Sequence, residues 1–148
     1  MHELREVITK SYLVRGMTDD EIDALYTIME KRVYKGGEVL VRQYDRSKDL
    51  MIVMEGAARV NTFSGEQIIE MGPGNIIGEI ALLDDQPRSA TVTSVKGTSV
   101  AFISGDKMRA LMDAQPRIEL VILRNMSRTL CAKIRLANLQ LEGLMSRS

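Results

Sequence analysis

Gly74-Asn75-Ile76-Ile77-Gly78-Glu79-Ile80-Ala81-Leu82-Leu83-Asp84-Asp85-Gln86-Pro87-Arg88-Ser89-Ala90-Thr91-Val92 gathers the Glu79 carboxylate, the Arg88 guanidinium, the Ser89 hydroxyl and several small residues within nineteen positions. Glycine and alanine beside Glu79 and Arg88 let backbone amides approach a ligand closely. A short helix opening near Gly78 aims its unpaired N–H groups at negative charge. Arg88 is then free to close on a phosphate bidentately. The stretch reads as an anion-binding cassette between strands.

Outward from the cassette, residues 32–103 fall into short β-rich pieces: Val39 to Val41, Leu50 to Met54, Ala57 to Thr62, Gln67 to Met71, Thr91 to Ser94 and Ser99 to Ile103. Turn residues separate them. Lys35-Gly36-Gly37 is expected to turn into the first strand, Glu55-Gly56 and Ser64-Gly65 to close hairpins, Gly72-Pro73-Gly74 to end a strand, and Lys96-Gly97-Thr98 to return the chain. Regular short strands indicate a barrel or roll. The first 31 residues are helical, with a turn or two over Glu3 to Lys10 and a second helix opened by the capping box of Thr18 and Glu21 before Ile22, Leu25, Ile28 and Met29. After Ser104 a helix over about Asp106 to Ala114 stops before Pro116, which suits the first turn of a longer helix from about Arg117 to Met145. In that helix Leu120, Ser127, Ile134 and Leu141 share one heptad position and Leu123, Leu130, Ala137 and Leu144 the other. The first two turns of this stripe are expected to pack on the roll, and the part beyond Leu130 to form a self-association seam.

From Gly78 to Val92 the chain resembles the cyclic nucleotide-binding domain family, whose signature is Gly-Glu, an aliphatic residue, Ala or Gly, Leu, a variable loop, then Arg, a small residue, Ala and later Val. The resemblance extends over almost the whole chain and is nearest to bacterial regulators of the catabolite-activator kind. It implies an α+β fold: an antiparallel β-roll, jelly-roll-like, with N-terminal helices and a long C-terminal helix, all in one domain. Glu79 would accept a hydrogen bond from the ribose 2′-hydroxyl and Arg88 would pair with the cyclic phosphate. The amides of Ala81 and Ser89 would complete the cradle, with Gly78, Ile80 and Ala90 alongside in the ligand-binding set. Val60, Ile68 and Ile77 would seat ribose and base, and Thr129 and Lys133, one turn apart on the C-terminal helix, would reach the base. Bacterial relatives often offer two adjacent hydroxyls where this chain has Lys133 and Ile134, so recognition differs in detail. The expected ligand is cyclic AMP, favoured over cyclic GMP, and the expected role is that of a sensor whose C-terminal helix transmits occupancy. The alternative is a scaffold that keeps the cassette as structure and works by dimerisation or partner binding, or a regulatory fragment of a larger effector.

Composition bounds what else is possible. A chain of 148 residues suits one domain, and 20 basic against 20 acidic side chains leave no overall positive field for a nucleic acid or an anionic membrane. The amino terminus lacks an apolar signal core, and no apolar run approaches the roughly twenty residues needed to span a bilayer. A cytoplasmic protein is expected. Cys131, the only cysteine, excludes an intramolecular disulfide and is expected to pack in the helix, while the only histidine, His2, sits at the terminus. Without metal-ligand spacing, a nucleophile elbow or a phosphate-binding Gly-Lys-Ser/Thr loop, the chain is expected to be neither an enzyme nor a holder of a cofactor or metal. Met51-Ile52-Val53-Met54 reads as a buried strand, not a soft-metal site. Only Met145-Ser146-Arg147-Ser148 follow Leu144, so no direct DNA contact is expected. Output would pass through the helix pose, a homodimer or a protein effector.

Overall fold

The structure, a computed structural model, describes residues 2–61 and 67–146, without the side chains of residues 2, 67 and 68. The expected Ser64-Gly65 turn, the strand end at Thr62 and the side chains of Ile68 and His2 lie outside the described residues. Helix α1 (His2–Lys10) leads through a 3-10 turn (Tyr12–Val14) to α2 (Asp19–Thr27), then come β1 (Met29–Tyr34), β2 (Val39–Val41), β3 (Leu50–Asn61), β4 (Gln67–Met71) and β5 (Ile76–Ile77). A second 3-10 turn (Glu79–Leu82), β6 (Thr91–Ile103), α3 (Gly105–Ala114) and α4 (Pro116–Ser146) complete the order. Among the described residues six strands make one antiparallel sheet in the order β1-β6-β3-β4, with β2 also on β6 and β5 also on β3. This is the α+β jelly-roll-like fold with a long C-terminal helix.

Strand alternation divides the core in two. Leu50 and Ile52 on β3, Ile76 on β5, and Ala101 and Ile103 on β6 face the helices, meeting Leu13, Leu25, Met108, Ile118, Ile122 and Met126. Their neighbours Met51, Val53, Ile77, Val100 and Phe102 face the interior of the roll with Leu40, Val41 and Val92. Both faces are covered, which is why Met51-Ile52-Val53 reads as an unbroken apolar run and not as an alternating one.

Several boundaries differ from expectation. The hairpins anticipated at Glu55-Gly56 and Lys96-Gly97-Thr98 do not exist: β3 and β6 each run through these glycines and pair with each other, with register shifts between Val53 and Ala58. A glycine among polar residues marks a bulge as readily as a turn, and only the pairing partner decides. The change from helix to strand comes before Arg32, because α2 ends at Thr27 and Met29 already pairs with Ile103. The strand β1 escapes a periodicity reading because its centre is charged and exposed, as befits the end of the sheet order.

The capping box on α2 is present in both directions, Thr18 Oγ1 accepting from the Glu21 amide at 3.2 Å and Glu21 Oε1 from the Thr18 amide at 2.9 Å. Those contacts, above all the Thr18 amide, together with Arg117 hold the Glu21 carboxyl below its ordinary range. Buried Asn125 on α4 donates to Leu13 O at 2.8 Å and Arg15 O at 2.9 Å, pinning the first 3-10 turn to the long helix.

On α4 the face that packs on the body is Ile118, Val121, Ile122, Asn125 and Met126. The heptad stripe is not part of that face: Leu120 is already 52% exposed and Ser127 exposed, with Leu123 and Leu130 only half-buried, so the expected packing of its first two turns on the roll is not met. A sequence stripe shows that a face is apolar, not what covers it. Cys131 is likewise exposed and not packed.

Candidate functional site

The cassette is positioned by backbone constraints that begin at Gly74. With φ of +89° this residue turns the chain into β5, whose Ile76 and Ile77 pair with Ile52 and Met51. Gly78 follows at φ +94° and caps the Glu79–Leu82 turn. A Cβ at Gly78 would lie 2.5 Å from Arg88 Nη1 and 2.7 Å from Asp49 O, so the Arg88 fork can occupy its place only beside a glycine. The loop before β3 grips Arg88 from its other side. Its amide donates to Asp45 O at 2.7 Å and its carbonyl accepts from the Tyr44 amide at 2.9 Å, Tyr44 itself holding φ +73°.

Arg88 is only 8% exposed. Its Nη2 donates to Asp49 O at 2.6 Å and its Nη1 to Gly78 O at 3.3 Å, while its Nε is buried without a partner. Burial lowers the guanidinium pKa, and the charges of Asp49 and Asp45 oppose that shift. Glu79 is equally buried, and its Oε1 accepts from Lys133 Nζ of α4 at 3.2 Å.

Gly78, Glu79, Ile80, Ala81, Arg88, Ser89 and Ala90 from the cassette, together with Ile77 and Val60, line one cavity of about 230 Å³. The Ala81 amide, expected to face a phosphate, already donates to Gly78 O at 3.2 Å. Sequence reasoning missed Val41, Met71, Ile76 and Val92 on the apolar walls and Asp84, Gln86 and Pro87 on the cassette loop. Val41 and Val92 belong to the apolar cluster inside the roll, so phasing each strand by its inward face would have found them. Neither Thr129 nor Lys133 lines the cavity. Lys133 meets Glu79 instead, and Thr129 hydrogen-bonds Tyr12. Among the described residues no group of three or more His, Cys, Asp or Glu side chains is placed to hold a metal, and no helix is long and apolar enough to cross a membrane.

Tyr12, from the N-terminal helices, was not foreseen here. Burial, reinforced by the Glu79 charge and opposed by the Thr129 hydrogen bond, pushes its phenol up to about 12 from 10.0. The phenol therefore keeps its proton in the fold at a pH where the unfolded chain has lost it. Its contribution to stability is complete below pH 10 and is lost as pH rises towards 12. Urea unfolding should show an alkaline loss of stability in that window that Tyr12→Phe reduces; equal losses in the two chains would remove this assignment.

The arrangement is a basic group and an acidic group, both buried, lining one largely apolar cavity, the kind of site that orients a small anion with an apolar body. Comparison with known proteins agrees. The sequence profile described as cyclic nucleotide-binding domain matches residues 31–115. The chain is similar to the cyclic AMP receptor protein of Thermus thermophilus, 29% identical over 90% of this chain and 62% of that protein. It is also similar to the cAMP-dependent protein kinase regulatory subunit of Dictyostelium discoideum, 32% identical over 82% of this chain and 38% of that protein. It thus spans less than two thirds of either relative. Among solved structures, a cyclic nucleotide-binding domain from Methylobacillus flagellatus superposes with a TM-score of 0.76 at 25% identity, covering 90% of this chain and 78% of that one. With the profile matched over more than half its length and the Glu79 and Arg88 cassette folded around one cavity, the chain belongs to the cyclic nucleotide-binding domain family.

Proposed function

We propose that the chain is a sensor that takes cyclic AMP in preference to cyclic GMP and passes occupancy to α4. The observation that carries this reading is Arg88, a cation buried at the cavity with an unpartnered Nε. Among the described residues no carboxylate lies in ion-pair contact with it. Burying a cation this way costs several kcal/mol, about the scale that pairing with an anion offsets. A cyclic phosphate supplies that anion, Glu79 an acceptor for the sugar, and Val41, Val60, Met71 and Val92 an apolar seat. The preference for cyclic AMP rests on the names of the two relatives. No catalytic step is assigned to the chain, and the exposed thiol of Cys131 suits a reducing cytoplasm. Calorimetric titration of the nucleotide-free protein with each nucleotide tests the reading. Saturable micromolar binding, tighter for cyclic AMP, is expected, and binding of neither would sink it.

The output we propose is a parallel two-fold pair through α4, with a protein effector reading the helix pose. Ile134, Leu141 and Leu144 stay more than half exposed on the apolar stripe beyond the packed part of α4, and a second copy would cover them. Light scattering should give twice the 16.6 kDa chain mass, and Leu141→Glu should return it to one chain. An unchanged mass in that variant would exclude the seam.

A further inference from the structure

Beyond Met126 the intramolecular contacts of α4 thin out, and every described residue from Cys131 onward is exposed. Within that exposed stretch Lys133 reaches back to the roll, its Nζ 3.2 Å from Glu79 Oε1. The two partners are unlike: the Lys133 side chain is 60% exposed and that of Glu79 only 10%. One turn earlier on the same face, Thr129 bonds Tyr12 of the N-terminal helices, whose phenol also feels the Glu79 charge. A single buried carboxylate that lines the cavity therefore ties α4 to the roll, next to the point where α4 meets the N-terminal turn.

Resting on the sensor reading above, we infer that Lys133 and Glu79 form a latch that holds α4 against the roll beside the site, and that the sugar hydroxyl of an incoming nucleotide displaces it. The two states differ in who occupies one carboxylate oxygen. The empty state has an ammonium on Glu79 Oε1 and the filled state has a hydroxyl. A latch of this kind lowers apparent affinity by the fraction of molecules in which it is open, and the same exchange converts occupancy into freedom of α4 beyond Leu130. Lys133 then sets sensitivity by opposing the ligand, in place of the base contact that resemblance suggests for it.

Lys133→Met keeps most of the aliphatic stem and removes the charge, while Lys133→Arg keeps the charge. A partly exposed pair of this kind is worth little more than about 1 kcal/mol, so Lys133→Met should bind cyclic AMP about three- to ten-fold more tightly than the native chain, and Lys133→Arg within about two-fold of it. Without nucleotide, amide hydrogen exchange in α4 beyond Leu130 should be faster in Lys133→Met and unchanged in Lys133→Arg. Equal or weaker binding by Lys133→Met, with the native chain binding normally, overturns the latch and leaves the sensor standing. Unchanged exchange in Lys133→Met overturns it as well. Failure of both chains to bind any cyclic nucleotide removes the sensor reading and this proposal together.

Discussion

Replacing Arg88 by alanine is expected to weaken cyclic AMP binding at least about 100-fold, since two charge-assisted hydrogen bonds to one phosphate are together worth about 3 kcal/mol or more. The structure explains why no neighbour substitutes for it. Arg88 is held by backbone on three sides, through Asp45 O and the Tyr44 amide on its own main chain and through Asp49 O and Gly78 O on its fork. Removing the side chain leaves the Asp49 and Gly78 carbonyls without that donor, but it also relieves the desolvation of a buried cation that no carboxylate touches. The cost of the lost donors and the relief from desolvation oppose each other, so the variant should stay folded within about 2 kcal/mol of the native chain. Arg88→Lys separates charge from geometry. It keeps the cation and loses the planar fork, so affinity between those of the native and alanine chains is expected. Calorimetry on all three, with thermal unfolding as the control for folding, decides the matter. Full affinity in Arg88→Ala would show that the phosphate is held elsewhere.

How far the sequence could be read depends on how local each constraint is. The cassette was legible because its demands fall within a few residues: Gly78 must be glycine to admit the Arg88 fork, and Glu79 follows it directly. The capping box of Thr18 and Glu21 was legible for the same reason. Tyr12 was not, since it comes to Glu79 only through tertiary packing, in which Asn125 fastens the turn after α1 to α4. The phase of α4 was half legible: the apolar stripe is real, but a richer apolar face, Ile118 to Met126, takes the body, and most of the stripe remains exposed. Gly56 and Gly97 were misread because both turns and bulges use glycine, and the register of β3 against β6 is a long-range fact.

That register gives the second large effect: Gly56→Ala should destabilise the fold by at least about 3 kcal/mol or prevent folding. Gly56 holds φ +91°, and a Cβ there would lie 2.3 Å from Gly97 O and 2.8 Å from Thr98 Cα, both backbone atoms of the paired strand. Neither can retreat without opening the β3–β6 ladder, in which the Thr98 hydroxyl also bonds Ala57 O at 2.9 Å. Gly37 supplies the control. It has nearly the same φ, +89°, and a Cβ there would meet nothing within 4 Å, so Gly37→Ala should cost only about 1 to 2 kcal/mol from backbone strain alone. Urea midpoints of the two variants therefore separate steric contact from backbone strain, and similar losses would refute the packing argument. The bulge also bears on the site. Between Val53↔Val100 and Ala58↔Ser94, β3 advances five residues and β6 six, so the side-chain alternation on β3 is inverted while that on β6 is kept. Val53 and Ala58, an odd number apart, consequently both face the interior of the roll, and Val60 follows them inward opposite Val92. Without the bulge Val60 would point away from the cavity that it lines together with Arg88. A Gly56 variant rescued to fold at low temperature should for this reason bind nucleotide more weakly than the Gly37 variant, although Gly56 itself does not line the cavity.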